Sequence, residues 1–333
     1  MTKYGLYCSV AAPPDGAQIH RCIHEMLAEA RAAEESGFKS IFFGEHHQDR
    51  DGFVPSPLVL AAAVAAQTSL EVGTSVLLLP LHHPIKVAED AAVVDLISSG
   101  RLRLGVGIGY QDADFELFQV PKPQRVERFT EAIEILRKCW TGERFTHEGK
   151  HFQFKDVRVM PRPHAQGGIP LWIGGIEPPA IARAARIGDG WVSAPSVTLE
   201  SVRESARLYR EEAAKHGRPA VIALMRDAWV AESREAAREE YEEEIAGVYK
   251  YARSKGADTM KGVTDELSFD ELVRDRLIFG SPDECIEQLR MWKREIQPDY
   301  IIFRMRQAHS GGPPHALLDK AIRLFGKAVL PHV

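Results

Sequence analysis

The feature that most restricts the folding of this chain is a rhythm. Short apolar runs alternate with longer stretches of helical spacing, repeating at about 30 to 35 residues per unit, as expected of strand–helix–strand crossovers. Tyr4–Ser9, Lys39–His47, Leu70–Pro80, Arg103–Gly109, Leu171–Gly174, Gly190–Ser193, Ala220–Val230 and Tyr300–Met305 read as strands. Between and after them, Ile19–Ser36, Pro57–Gln67, Ile85–Ile97, Arg125–Trp140, Pro179–Ile187, Ser201–Lys215, Ser233–Lys255, Pro282–Ile296 and Leu317–Val329 read as helices. Gly37 and Gly100 follow helical runs as stop signals. Strands buried on both faces read as continuous Val, Ile, Leu and Phe, which these do. The pattern favours an α/β class protein, a single (β/α)8 TIM barrel spanning residues 1–333 as one domain. A doubly wound open sheet is the main competitor.

The rhythm breaks twice. Residues 142–169 alternate Phe145, His147, Phe152, Phe154, Val157 and Val159 among glycines and prolines, which reads as an insertion after strand four containing a β-hairpin. Around the seventh helix, the stretch 256–279 is polar and without clear period. It is expected to be a loop able to act as a lid.

Composition narrows the function. With 333 residues and 44% hydrophobic content, a large core is available. The 42 basic and 47 acidic residues leave a net charge of −5, with no run of Lys and Arg interleaved with aromatics, so nucleic acid is not an expected partner. Cys8, Cys22, Cys139 and Cys285 are far apart, without metal or redox spacing, and read as reduced, mostly buried thiols. No apolar stretch is long enough for a membrane span, and the first ten residues are too short and polar for a signal peptide. The expectation is a cytoplasmic protein with a small-molecule substrate.

In such a barrel chemistry is done beyond the carboxyl ends of the strands. The polar residues there are Ser9, then Glu45, His46 and His47, then His82 and His83, then Tyr110, Gln111, Asp112 and Asp114, with Asp227 in strand seven and Arg304, Arg306 and His309 in or beyond strand eight. Glu45-His46-His47 is the strongest of these sites, a carboxylate and two imidazoles at one strand mouth. Adjacent histidines of an extended chain point to opposite faces, so a shared metal is not expected. His83-Pro84 also reads as an ordinary helix start. Gly105-Val106-Gly107-Ile108-Gly109 lies within a strand and reads as a narrow strand end that lets a flat ligand approach the backbone. Trp172-Ile173-Gly174-Gly175-Ile176-Glu177-Pro178-Pro179 runs from strand through glycines into a helix, an arrangement suited to phosphate.

Together these motifs make the chain resemble the bacterial luciferase-like monooxygenases over nearly its whole length. The resemblance rests on Gly-Glu-His-His at 44 to 47, Val-Gly-Thr-Ser at 72 to 75 followed by Leu-Leu-Pro, and the block from His83-Pro84 through Ala88-Glu89-Asp90 to Ser99-Gly100-Arg101. Asp112-x-Asp114-Phe115, Gly280-Ser281-Pro282-Asp283-Glu284-Cys285 and Val329-Leu330-Pro331 add to it. It implies a barrel that binds reduced FMN and uses O2 to oxidise a small organic substrate, fed by a separate NAD(P)H:flavin reductase. His46 then falls on the catalytic histidine, a base or hydrogen-bond partner at the flavin, with Glu45 and His47 beside it. Ser75 and Val76 fall where family members carry a non-proline cis peptide against the flavin ring. Gly107, Gly109, Gly174, Gly175 and Ile176 fall on the cofactor's strand ends and phosphate loop, and Phe53, Tyr110 and Phe115 on the substrate pocket. Related barrels pair as dimers, so a homodimer is implied.

Where the luciferase has Cys-Arg in its fourth strand end, this chain has Gly107-Ile108, which argues against light emission and leaves the phosphate without its arginine. A second branch of the family transfers hydride with a deazaflavin coenzyme and shares most of the motifs, and some members bind flavin without known turnover. The Glu-His-His pattern and the block through Arg101 follow the luciferase side, hence the expectation of FMN.

Overall fold

The computed structural model describes residues 2–254, 268–306 and 312–333. Eight parallel strands close into a barrel: β1 (Lys3–Cys8), β2 (Ser40–Phe43), β3 (Glu71–Leu78), β4 (Leu102–Gly107), β7 (Leu171–Gly174), β8 (Gly190–Val192), β9 (Ile222–Val230) and β11 (Tyr300–Arg306). The ring is completed by β8 against β9 and by β11 against β1, where Lys3 to Tyr7 run in register with Tyr300 to Arg304. Helices α1 (Ile19–Glu35), α2 (Pro57–Ala65), α3 (Pro84–Ile97), α5 (Arg125–Thr141), α6 (Pro178–Ile187), α7 (Leu199–Lys215), α8 (Arg234–Ser254), α10 (Pro282–Ile296) and α11 (His315–Ala328) follow the expected order. The barrel therefore takes precedence over the open sheet, because the first and last strands find each other as parallel neighbours.

The barrel interior is filled by aromatics and aliphatics from six strands: Tyr7, Phe42, Trp172, Val192, Ala223, Met225, Tyr300 and Ile302. Phe42 stacks on Trp172 with centroids 5.5 Å apart, and Trp172 meets Tyr300 edge-on at 4.7 Å. Truncating such a ring costs on the order of 3 to 5 kcal/mol, so this plug holds the barrel shut and gives the mouth above it a firm floor.

Two elements differ from the sequence reading at the mouth. Strand β2 ends at Phe43, the last residue in register with β3 at Thr74, so Glu45-His46-His47 lie beyond the strand and not within it. Between β4 and α5 a short helix, α4 (Asp112–Leu117), carries Asp112 and Asp114 in its first turn. The insertion does contain a hairpin, β5 (Phe145–Glu148) against β6 (Gln153–Val157). It is fastened to α5 through the Glu131 carboxylate, which accepts from the backbone N–H groups of His151 at 3.0 Å and Phe152 at 2.8 Å.

The expected lid is corrected in part. Residues 256–267 lie outside the described residues, but Phe269–Arg276 is a helix, α9, and Leu277–Gly280 a buried strand, β10, paired with β9 from Asp227 to Val230. Phe269, Leu272 and Val273 pack inward, so this half of the stretch belongs to the core. All four cysteines are free and buried. No helix among the described residues is long and apolar enough to cross a membrane.

Candidate active site

Beyond Phe43, Glu45 and His47 meet on one side, and His46 lies apart from them against Gln111 and Phe53. Glu45 turns toward β3. Its Oε1 accepts from His47 Nε2 at 2.8 Å and from His82 Nε2 at 2.6 Å, and its Oε2 accepts from the Leu78 backbone N–H at 2.5 Å. The carboxylate is wholly buried. Burial alone would push its pKa up, but the donors from His47, His82 and Leu78 outweigh that and bring it down to about 2. Glu45 is thus an ionised anchor tying the mouth of β2 to the end of β3, with no capacity left to exchange protons near neutral pH. Among the described residues no set of three ligand groups is arranged to hold a metal ion.

His46 points the other way. The Gln111 amide nitrogen lies 3.0 Å from His46 Nδ1, so with the amide donating, the ring proton sits on Nε2. The Phe53 ring meets the imidazole edge-on at 5.1 Å. His46, Gln111 and Phe53 make one wall, and Tyr110, about half exposed, stands at the rim. Phe115 does not line this space: it is buried with Leu78 and Leu81 in a small cluster behind Gly109, whose φ of 73° turns the chain over it. Next to it Asp114 is buried, one carboxyl oxygen having no partner among the described residues. Burial raises its pKa, aided by Asp49 and Glu45 and opposed by His47.

The Ser75–Val76 peptide is cis. The Val76 side chain lies between Gly107 and Gly174: a Cβ at either glycine would come within 2.6 Å and 3.0 Å of a Val76 methyl. The glycines of β4 and β7 therefore make room for Val76, which corrects the reading that Gly107 opens space for a ligand directly. Ser75 Oγ is buried and has no hydrogen-bond partner among the described residues.

Sequence reasoning expected free N–H groups at the start of α6. The first two helical positions are prolines, and Ala180 N–H is bound to the Glu177 carbonyl at 2.8 Å, so the helix itself offers none. The N–H groups without a protein acceptor among the described residues are those of Gly175 and Ile176, in a loop pinned by Trp191 Nε1 donating to the Gly175 carbonyl at 2.9 Å. Sequence reasoning missed Arg125 and Arg183. Arg183 lies in the second turn of α6, and helical side chains lean toward the N-terminus, here toward this loop. Its pKa is lowered, first by burial and then by the charges of Arg186 and Arg125. The Nε atoms of Arg125 and Arg183 are both buried without a partner among the described residues. Two neighbouring guanidiniums, Arg125 with Nη1 on the Lys122 carbonyl and Arg183 over the Phe129 ring, and the N–H groups that follow β7 are donors of the kind that suits a phosphate.

Of the other candidates, His82 supports Glu45, whereas His83 meets the hairpin rings Phe152 and Phe154 edge-on. Arg306 pairs with buried Glu29 away from the mouth. His309 lies outside the described residues.

Residues 2–296 match the luciferase-like monooxygenase family. An F420-dependent glucose-6-phosphate dehydrogenase of Beutenbergia cavernae is 30% identical, over 93% of this chain and 93% of its own length. The 4-hydroxyprotoasukamycin monooxygenase of Streptomyces nodosus subsp. asukaensis is 29% identical over 79% of this chain and 75% of its own. The crystal structure of monooxygenase RslO1 from Streptomyces bottropensis superposes with a TM-score of 0.87 at 26% identity, covering 99% of both chains. The chain is an oxidoreductase of the luciferase-like monooxygenase family.

Proposed function

We propose that this protein is a monooxygenase that uses reduced FMN and O2 to oxidise a small organic substrate. The observation that carries this reading is the phosphate corner. Arg125 and Arg183 lie near enough for their charges to repel, each with a buried Nε without a partner among the described residues, and Arg183 lies in the helix that follows the Gly175–Ile176 loop, whose N–H groups have no acceptor among the described residues. Two guanidiniums suit the dianionic phosphomonoester of FMN better than the singly charged phosphodiester of the deazaflavin coenzyme. Val76, packed against Gly107 and Gly174, and the Ser75 hydroxyl would hold the ring system of the cofactor.

Bound there, reduced flavin would supply the electrons that activate O2, one oxygen atom going to substrate and the other to water. A separate NAD(P)H:flavin reductase is the expected source of that flavin. His46 holds its proton on Nε2 toward the mouth and is assigned the proton transfer there, while Gln111 keeps its tautomer. Glu45, His47 and His82 act behind it as the frame that fixes the strand ends. Phe53 and Tyr110 bound the substrate, and the protein acts as a homodimer. The second reading, deazaflavin-dependent hydride transfer, draws on the relative from Beutenbergia cavernae.

The test is a thermal-shift titration with FMN, anaerobically reduced FMN and the deazaflavin coenzyme. A ligand at about 100 times its dissociation constant adds roughly 2.7 kcal/mol. FMN, strongest when reduced, is expected to stabilise the protein, and Arg183→Met is expected to weaken FMN at least tenfold while leaving riboflavin unchanged. Stabilisation by the deazaflavin alone would overturn the assignment.

A further inference from the structure

The first two turns of α1 carry two side chains that neither the core nor the site at His46 uses. His20 and His24 stand four residues apart, one above the other on the helix surface. Both are exposed, whereas Cys22, Met26, Glu29, Ala30 and Ala33, which α1 turns into the core, lie about half a turn away round the helix. Neither imidazole is needed to pack α1 on the barrel. Cys22, although it falls between them in sequence, is buried on the opposite side and out of their reach.

Residues at this spacing have Cβ atoms about 5 to 6 Å apart, and two unconstrained imidazoles would splay from there into water. These two converge instead. Their ring centroids are 4.6 Å apart and their planes are inclined at 59°, which is neither parallel stacking nor an edge-on contact. The separation matches two rings bonded to one ion. With metal–nitrogen bonds of about 2.0 to 2.1 Å in the plane of each ring, an N–metal–N angle between roughly 90° and 109° places the centroids about 4.5 to 5.2 Å apart.

Two histidines at i and i+4 on one helical face reach a common point because one turn separates them, which is how helices present zinc-type ions with a ligand pair. Here Arg21, Cys22 and Ile23 lie between them, and no carboxylate follows the first histidine as a base. The pattern is therefore one of binding and not of metal-assisted hydrolysis. The neighbouring cations are drawn aside, Arg21 Nε lying 3.4 Å from Glu25 Oε1 and Arg31 Nη1 donating to Gln67 Oε1 at 2.8 Å. Among the described residues no third ligand group completes a set. Two protein ligands leave the remaining coordination positions to water, and imidazole alone suits Cu²⁺, Ni²⁺ and Zn²⁺, with Cu²⁺ held most tightly.

We propose that His20 and His24 form a surface site for a divalent transition-metal ion, Zn²⁺ or Cu²⁺, on the outer face of α1. The site is separate from the mouth of the barrel and stands whichever coenzyme the mouth holds.

The test is equilibrium dialysis of the full chain at neutral pH against ZnCl2 and, separately, CuCl2. Wild type is expected to take up one ion that His20→Ala and His24→Ala each bind at least tenfold more weakly. The chain has 13 histidines, so His216→Ala, at the end of α7, serves as the control and should bind as wild type does. Both ligand positions are exposed, and melting curves without metal check that the variants fold. Added Zn²⁺ should raise the melting temperature of wild type and leave that of either variant unchanged. Electron paramagnetic resonance of the copper-loaded protein adds a readout on wild type itself, which should show two imidazole nitrogens on the ion where each variant shows one. No uptake by wild type at millimolar ion, equal uptake by wild type and both variants, or a copper spectrum that His20→Ala leaves unchanged overturns the proposal.

Discussion

His82 Nε2 reaches across 37 positions of chain to lie 2.6 Å from Glu45 Oε1, joining the end of β3 to the mouth of β2 through a fully buried carboxylate. Burial opposes its ionisation, and the two imidazoles with the Leu78 N–H more than compensate, taking its pKa from 4.5 down to about 2. A carboxyl group with a lowered folded pKa stabilises the fold above its unfolded pKa and loses that contribution as pH falls toward the folded one. Glu45→Gln is therefore expected to lose on the order of 3 kcal/mol at pH 7, with the deficit shrinking between about pH 4.5 and pH 2. Urea unfolding of both proteins at pH 7 and pH 3 measures it; a deficit that does not shrink would show that the ionised form is not what stabilises.

The same arrangement separates two adjacent histidines by role. His46 faces the mouth with Gln111 on its Nδ1, and His47 is bound to Glu45. His46→Ala is expected to lower turnover by about 10²- to 10⁴-fold, the usual contribution of a positioned acid or base, with FMN affinity within about twofold of wild type. His47→Ala should instead lower the melting temperature. Gln111→Leu, which frees the tautomer, should displace the pH–rate profile without comparable loss of FMN binding. Equal turnover losses in the two histidine variants, at equal stability, would contradict the division.

How much of this was readable beforehand depends on the range of the interaction. The barrel was legible because parallel strands buried on both faces must be continuous apolar runs, and the hairpin because Phe152 and Phe154 alternate. The end of β2 was not, since register with Thr74 and contact with Tyr7, and not local composition, stop the strand at Phe43. Helix α9 was missed although Ser268 and Glu271 form a reciprocal cap, a local signal that could have found it. Glu45-His46-His47 stood out as a site, but the partnership with His82 comes from closing the barrel and leaves no local trace. Arg183 escaped because its relevance to the Gly175 loop comes from the backward lean of helical side chains, not from adjacency in sequence.

Val76 is held between β4 and β7 by the absence of two side chains. An alanine Cβ at position 107 would sit 2.6 Å from Val76 Cγ2. Gly107→Ala should cost about 1 to 3 kcal/mol and weaken FMN, because Val76 or the strand must shift. Val76→Ala removes the obstructing methyls, so the double variant should recover at least 0.5 kcal/mol relative to the sum of the singles. Thermal unfolding and FMN titration of all four proteins measure the coupling, and strict additivity would show that the two positions do not press on each other.

Helices α2 and α3 pack side by side and present apolar side chains outward. Val59 on α2 is 67% exposed, and on α3 Val93, Leu96 and Ile97 are each more than 40% exposed. The α3 residues stand at the three- and four-residue steps that make one stripe, not scattered single positions. In a monomer that stripe faces water, whereas two copies meeting across α2 and α3 would bury it at the core of a symmetric interface. The protein is therefore expected to elute as a dimer in light-scattering chromatography, and Val93→Glu with Leu96→Lys should convert it to monomer while the melting curve stays cooperative. Wild type that remains monomeric at tens of micromolar, roughly where a standard-size interface should hold, would show that this face serves something other than self-association.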